Sequence, residues 1–118
     1  MSVVALISEL MMQSQVSGAA QRACAELVLV SSENALLEKI AEASPGLVVV
    51  DLSHPGLDPV QLMERLRPVL PAGAATLAFG PHVHKAKLEA AAAAGFTGVM
   101  SRGQFHANMD DLLASRGG

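Results

Sequence analysis

Leu47-Val48-Val49-Val50-Asp51 is the stretch on which the fold turns. Four apolar residues, three of them β-branched, run without alternation and stop at a carboxylate. A strand covered on both faces reads as such a run, whereas a half-exposed strand alternates. Pro45-Gly46 precedes the stretch and a loop from Ser53 to Leu57 follows it. The reading is therefore a central strand of a parallel sheet with helices on both sides. Ligands of open α/β sheets bind beyond the carboxyl ends of the strands. Asp51 stands at that position.

The flanking sequence repeats the pattern in both directions. Val3 to Ile7 reads as a first strand, and Met12, Val16, Ala19, Ala20 and Ala23 follow at helical spacing, weakened by Gly18. Leu27 to Val30 is a second strand. Ser31-Ser32-Glu33 offers a cap for a helix whose Leu36, Leu37, Ile40 and Ala41 share a face. After Asp51, Asp58-Pro59 is an N-cap with proline at the first helical position, and Leu62, Met63, Leu66, Val69 and Leu70 form the stripe of a third helix. Ala75 to Phe79 predicts a fourth strand, broken at Gly80-Pro81. His82 to Ala94 predicts a helix stopped by Gly95. Val99 and Met100 mark a short fifth strand, and Phe105, Met109, Leu112 and Leu113 the buried stripe of a last helix. Five strand–helix units with short connections predict one doubly wound α/β domain over residues 1–118, with five parallel strands and about five helices.

Composition excludes several classes. An apolar fraction of 51% rules out a disordered chain, and 16% charged residues point to an apolar surface suited to a partner. A net charge of −3 provides no electrostatic footprint for nucleic acid or an acidic membrane, and three Phe make no base-stacking platform. No apolar run reaches the roughly 18 residues of a membrane helix. Met1 to Ile7 lacks a basic leader and reads as a strand, so a cytoplasmic protein is expected. Cys24 is the sole cysteine; among alanines it reads as a buried structural thiol.

The unit order, the spacing, the Asp51 strand with its Pro55-Gly56 loop, and the Ala93-Ala94-Gly95-Phe96 turn resemble the receiver domain of bacterial two-component response regulators over nearly the whole chain. The resemblance implies a flavodoxin-like sheet of order 2-1-3-4-5 and places Asp51 at the phosphoacceptor position. It also implies a set of partner residues around Asp51, several of which differ here. The acidic pair that holds Mg²⁺ in receivers falls on Ser8 and Glu9, so one carboxylate is gone. The phosphoryl-contacting hydroxyl residue falls on Gly80. The lysine of the last strand falls on Arg102, followed by Gly103, and the aromatic switch position on Val99.

Phosphoryl transfer to a carboxylate brings two anions together and needs neutralising cations. With Glu9 and Asp51 as the remaining acids, a Mg²⁺ site is weak and no cofactor is expected. Arg102 keeps a positive charge and is expected to pair with Asp51, although its planar fork does not place charge where an ammonium would. The chain accordingly reads as a pseudo-receiver, not an enzyme: a stand-alone interaction module that signals without phosphorylation. The alternative is a phosphate-accepting regulator of a phosphorelay, using Asp51 with Glu9 and Arg102. A third reading joins His54 and His82 with Glu9 or Asp51 in a metal site, although histidine spacing alone is a weak motif. Ser53 and His54 make no nucleophile elbow, and Gly95, Gly98 and Gly103 make no phosphate loop.

Signalling without phosphate requires a surface. In receivers the face of the fourth helix, fifth strand and fifth helix meets partners, which here implicates Lys85, Leu88, Val99, Phe105 and Met109. The expected occupants are a signalling protein such as a histidine kinase, or a second copy of the chain. The Gly80-Pro81-His82-Val83-His84 loop is a second candidate surface. With no segment after Gly118, output is expected to come from the partner.

Overall fold

Five strand–helix units follow one another without interruption in the computed structural model, which describes residues 2–116. They are β1 (Ser2–Leu6), α1 (Leu10–Arg22), β2 (Glu26–Val30), α2 (Glu33–Ala43), β3 (Leu47–Asp51), α3 (Pro59–Leu66), β4 (Ala75–Gly80), α4 (Lys85–Ala94), β5 (Gly98–Ser101) and α5 (Arg102–Arg116). All pairings are parallel and the strand order is β2-β1-β3-β4-β5. The sheet is the one expected from the sequence. Among the described residues no helix is long and apolar enough to cross a membrane.

The continuous apolar run of β3 follows from this architecture. Successive side chains leave a strand on opposite faces, and here both faces are covered. Val49 joins Val3, Ala5, Phe79, Phe105 and Leu113 in the core under α1 and α5. Val48 and Val50 join Val4, Leu6, Ile40, Leu62 and Ala78 in the core under α2, α3 and α4. Every residue of β1, β3 and β4 is buried, whereas the edge strands β2 and β5 are half-exposed. The rings of Phe79 and Phe105 stack with centroids 4.2 Å apart, which fastens α5 to the centre of the sheet.

Several helix ends depart from the sequence reading. Helix α4 begins at Lys85, not His82, because a turn closed by His84 N–H on the Pro81 carbonyl at 2.9 Å occupies the preceding residues. Helix α3 stops at Leu66, so Val69 and Leu70 pack from the turn after it. Ala41 is exposed and contributes nothing to the buried face of α2. Cys24 is exposed as well, not a buried thiol. It sits just past the end of α1 at φ +56°, where Ala25 N–H reaches the Ala20 carbonyl at 2.9 Å and Cys24 N–H the Gln21 carbonyl at 3.2 Å. That is the left-handed terminus which Gly95 forms after α4. The backbone position, rather than apolar neighbours, sets the exposure of the thiol.

Candidate functional site at the carboxyl edge of the sheet

The chain leaves β1 for β2 on one side and returns to β3 on the other, so the crevice of the sheet opens beyond the ends of β1 and β3. Asp51 closes β3 there, only 2% exposed. Its Oδ1 accepts the Ser53 backbone N–H at 2.9 Å, and its carbonyl accepts the His54 N–H at 3.1 Å. The carboxylate is thereby part of the turn that follows its own strand. Such side-chain-to-backbone bonding two residues ahead is the ordinary habit of Asp in turns.

The cation expected beside Asp51 lies elsewhere. Arg102 donates to Glu9, and Asp51 takes part in none of the four ion pairs formed among the described residues. The reason is local. Ser101-Arg102-Gly103-Gln104 is a capping box: Gln104 N–H donates to Ser101 Oγ at 3.1 Å, and Ser101 N–H to Gln104 Oε1 at 3.0 Å. This box turns the chain from β5 directly into α5 and makes Arg102 the first residue of the helix rather than a strand residue. The guanidinium consequently reaches the start of α1, where Glu9 is the N-cap. The Ser-x-x-Gln signature was present in the sequence and would have placed Arg102 on the helix.

Ser8 is also engaged. Its hydroxyl lies 2.6 Å from His54 Nδ1, joining the β1–α1 loop to the β3–α3 loop across the crevice. Ser8 and Glu9 thus form two latches: one to the loop after Asp51 and one to α5. Behind them Gln13 Nε2 donates to the Ile7 carbonyl at 2.6 Å and fixes the same loop from α1. No local sequence pattern marks this bond of His54, whose partner lies 46 positions away.

Gly80 ends β4 in register with Ser101 of β5. A β-carbon at this position would sit 3.3 Å from Leu52 Cβ, with Leu88 Cδ2 at 3.9 Å. The glycine admits the buried Leu52 side chain, which is 1% exposed, to the space beside it. Residue 80 therefore has a packing role as well as lacking a hydroxyl.

These donors do not fit a divalent cation as arranged. Mg²⁺ needs near-octahedral oxygen ligands. Glu9 is held by Arg102, Ser8 by His54, and one oxygen of Asp51 by Ser53. A histidine site is not formed either: no three His, Cys, Asp or Glu among the described residues come together to hold a metal. His82 and His84 are exposed in the turn before α4 and do not join His54 with Asp51 or Glu9 as a ligand group.

Of the residues assigned to an interaction face, Lys85 is exposed and Leu88 and Val99 are half-exposed. Phe105 and Met109 are not part of any such face. They are 0% and 4% exposed and belong to the core beneath α5, because the apolar stripe of that helix turns toward the sheet. Large apolar side chains do reach solvent at Leu10 and Met11, 80% and 68% exposed, immediately after Glu9.

No protein-family model matches the chain, and no curated protein matches it. Solved structures do. A response-regulator receiver domain from Bermanella marisrubri superposes with a TM-score of 0.82 at 18% identity, over 98% of this chain and 96% of that one. The receiver domain of a sensor histidine kinase from Pseudomonas aeruginosa, which carries a magnesium ion in its active-site cleft, gives 0.79 at 13% identity over 98% and 95%. A chemotaxis response regulator of Vibrio cholerae gives 0.78 at 17% identity over 97% and 96%. The fold is that of receiver domains.

Proposed function

We propose that this chain is a receiver-type signalling module that acts through protein contacts without a phosphoryl switch. The fold supports a signalling role, and one observation carries the rest: the cation that would face Asp51 is paired with Glu9. An incoming phosphoryl group would meet a buried carboxylate with no paired cation beside it and no hydroxyl at residue 80. Bringing two anions together in such a place is unfavourable, and positioned cations are what ordinarily lower that cost. Asp51 instead shapes the turn that presents Ser53 and His54.

The surface for this role runs over Lys85, Leu88 and Val99, with the exposed apolar pair Leu10 and Met11 beside the crevice. Its partner is a signalling protein of the cytoplasm, such as a histidine kinase, or a second copy of the chain. The test is incubation with Mg²⁺ and acetyl phosphate, followed by intact mass. The expected result is no adduct that depends on Asp51. An acyl-phosphate adduct present in the parent and missing in Asp51→Asn would make the chain a phosphate-accepting regulator.

A further inference from the structure

At the opposite end of the sheet from Asp51 a cavity of about 210 Å³ opens beneath the start of β4 and β5. β3 begins at its wall with Leu47 and ends at Asp51, so about 13 Å of strand separates the two places. Leu47, Ala75, Leu77, Gly98, Met100 and Leu112 line it. Small side chains make the room: residue 75 is alanine, and at residue 98 any β-carbon would come within 2.9 Å of Leu77 Cδ1. The leucine therefore leans over the glycine, and the strand pair has no bulky group to close the gap below it.

The chemistry of the wall limits what the cavity can hold. Its two hydroxyls, on Thr76 and Thr97, accept each other's backbone N–H groups at 3.0 Å and lie 3.3 Å apart. Among the described residues no charged side chain lines it. A water molecule bound in such a place needs two to four polar partners, and this wall offers few. Enclosed apolar cavities of roughly 150 Å³ accept benzene; this one is partly open to solvent, so a bound ring would keep some of its surface in water. The space here suits an uncharged apolar molecule of one aromatic ring, or of two fused rings.

The position of the cavity gives occupancy a consequence. Met100 and Leu112 line it from inside and also line an outer groove of about 500 Å³ between β5 and α5, together with Val99, Gln104 and Asn108. We propose that this cavity binds a small uncharged apolar ligand, and that Met100 and Leu112 transmit its presence to the β5–α5 surface. The binding site stands independently of how Asp51 behaves. The transmission rests on the reading of that surface as an interaction face.

The experiment is a titration of the intact chain with indole and with benzene, followed through methyl resonances. Saturable shifts are expected at Leu47, Leu77, Met100 and Leu112, with dissociation constants on the order of a millimolar or tighter. The methyls of Leu52 and Val50 beside Asp51 should stay unmoved. Ala75→Ile fills the space and should weaken binding at least about tenfold, with folding checked by circular dichroism. Should that variant misfold, Met100→Ala decides the matter: the enlarged cavity should favour indole over benzene relative to the parent. Absence of saturable shifts in the parent, or shifts spread evenly over surface methyls, would overturn the site. Equal binding by a folded Ala75→Ile variant would do so too. Binding that leaves Val99 unmoved would refute the transmission while sparing the site, and the phosphodonor assay would be unaffected by either result.

Discussion

The two ends of β3 are held by different physics. At Leu47 to Val50 the strand is fixed by burial on both faces. At Asp51 the surroundings are fixed by polar contacts between loops: Ser8 with His54, Glu9 with Arg102, Ser101 with Gln104. The core tolerates little change because interiors are close-packed. The carboxyl edge can exchange partners while the sheet stays as it is, since surface ion pairs and loop hydrogen bonds each contribute little. A receiver-type sheet can therefore carry different sets of polar contacts at its carboxyl edge.

The sharpest way to break this contrast is in the core. Phe105→Ala removes a fully buried ring stacked on Phe79 and should destabilise the fold by about 3–5 kcal/mol, read from the midpoint of urea unfolding. A loss near 1 kcal/mol would mean that α5 is not anchored through this ring. Next comes the edge device that turns β5 into α5. Ser101→Ala should cost about 1 kcal/mol and release Arg102 from its place at the helix start, with Ser101→Thr retaining most of the stability. At the end of α1, Cys24→Gly relieves a left-handed conformation and should stabilise by about 0.5–1 kcal/mol. A neutral result there would show that the thiol makes a compensating contact.

Smaller effects probe the latches themselves. A double-mutant cycle of Glu9→Ala and Arg102→Ala should give a coupling below about 1 kcal/mol, because both side chains are more than a third exposed. A coupling of several kcal/mol would make this pair part of the core rather than of an adaptable edge. The weakest effect lies on the far side of the molecule, where Arg22 holds Asp110 across α1 and α5. The hydrogen bond from Arg22 lowers the carboxyl below its ordinary value; desolvation opposes this, and the charge of Arg22 adds to the lowering. A depressed folded value means that the contribution is present at neutral pH and is lost as pH falls through that value. Titration of Asp110 by carbon NMR should move up toward the ordinary range in Arg22→Ala.

Particular residues divide what could be read from the chain from what could not. The Leu47–Asp51 strand, the Asp58-Pro59 start of α3 and the Gly95 stop of α4 follow from patterns a few residues long. The exposed Cys24 and the buried Phe105 and Met109 depart from the sequence reading for different reasons. Apolar neighbours suggested burial for Cys24, but the helix terminus placed it outside. A receiver's partner-binding face suggested exposure for Phe105 and Met109, but the helix stripe that the same sequence displays places them inward. The capping box at Ser101 was legible, and reading it would have moved Arg102 off the strand.

By itself, the sequence determined the alternation of strands and helices, the two-sided burial of β3 and the position of Asp51 at its end. These depend on residues within one or two turns of each other, where backbone geometry ties spacing to direction. Only the tertiary structure decided that Arg102 meets Glu9 rather than Asp51, and that Ser8 meets His54. Those pairs are separated by 93 and 46 residues, and their geometry depends on the angles at which whole helices and loops leave the sheet. No periodicity encodes such angles; packing of the two cores sets them.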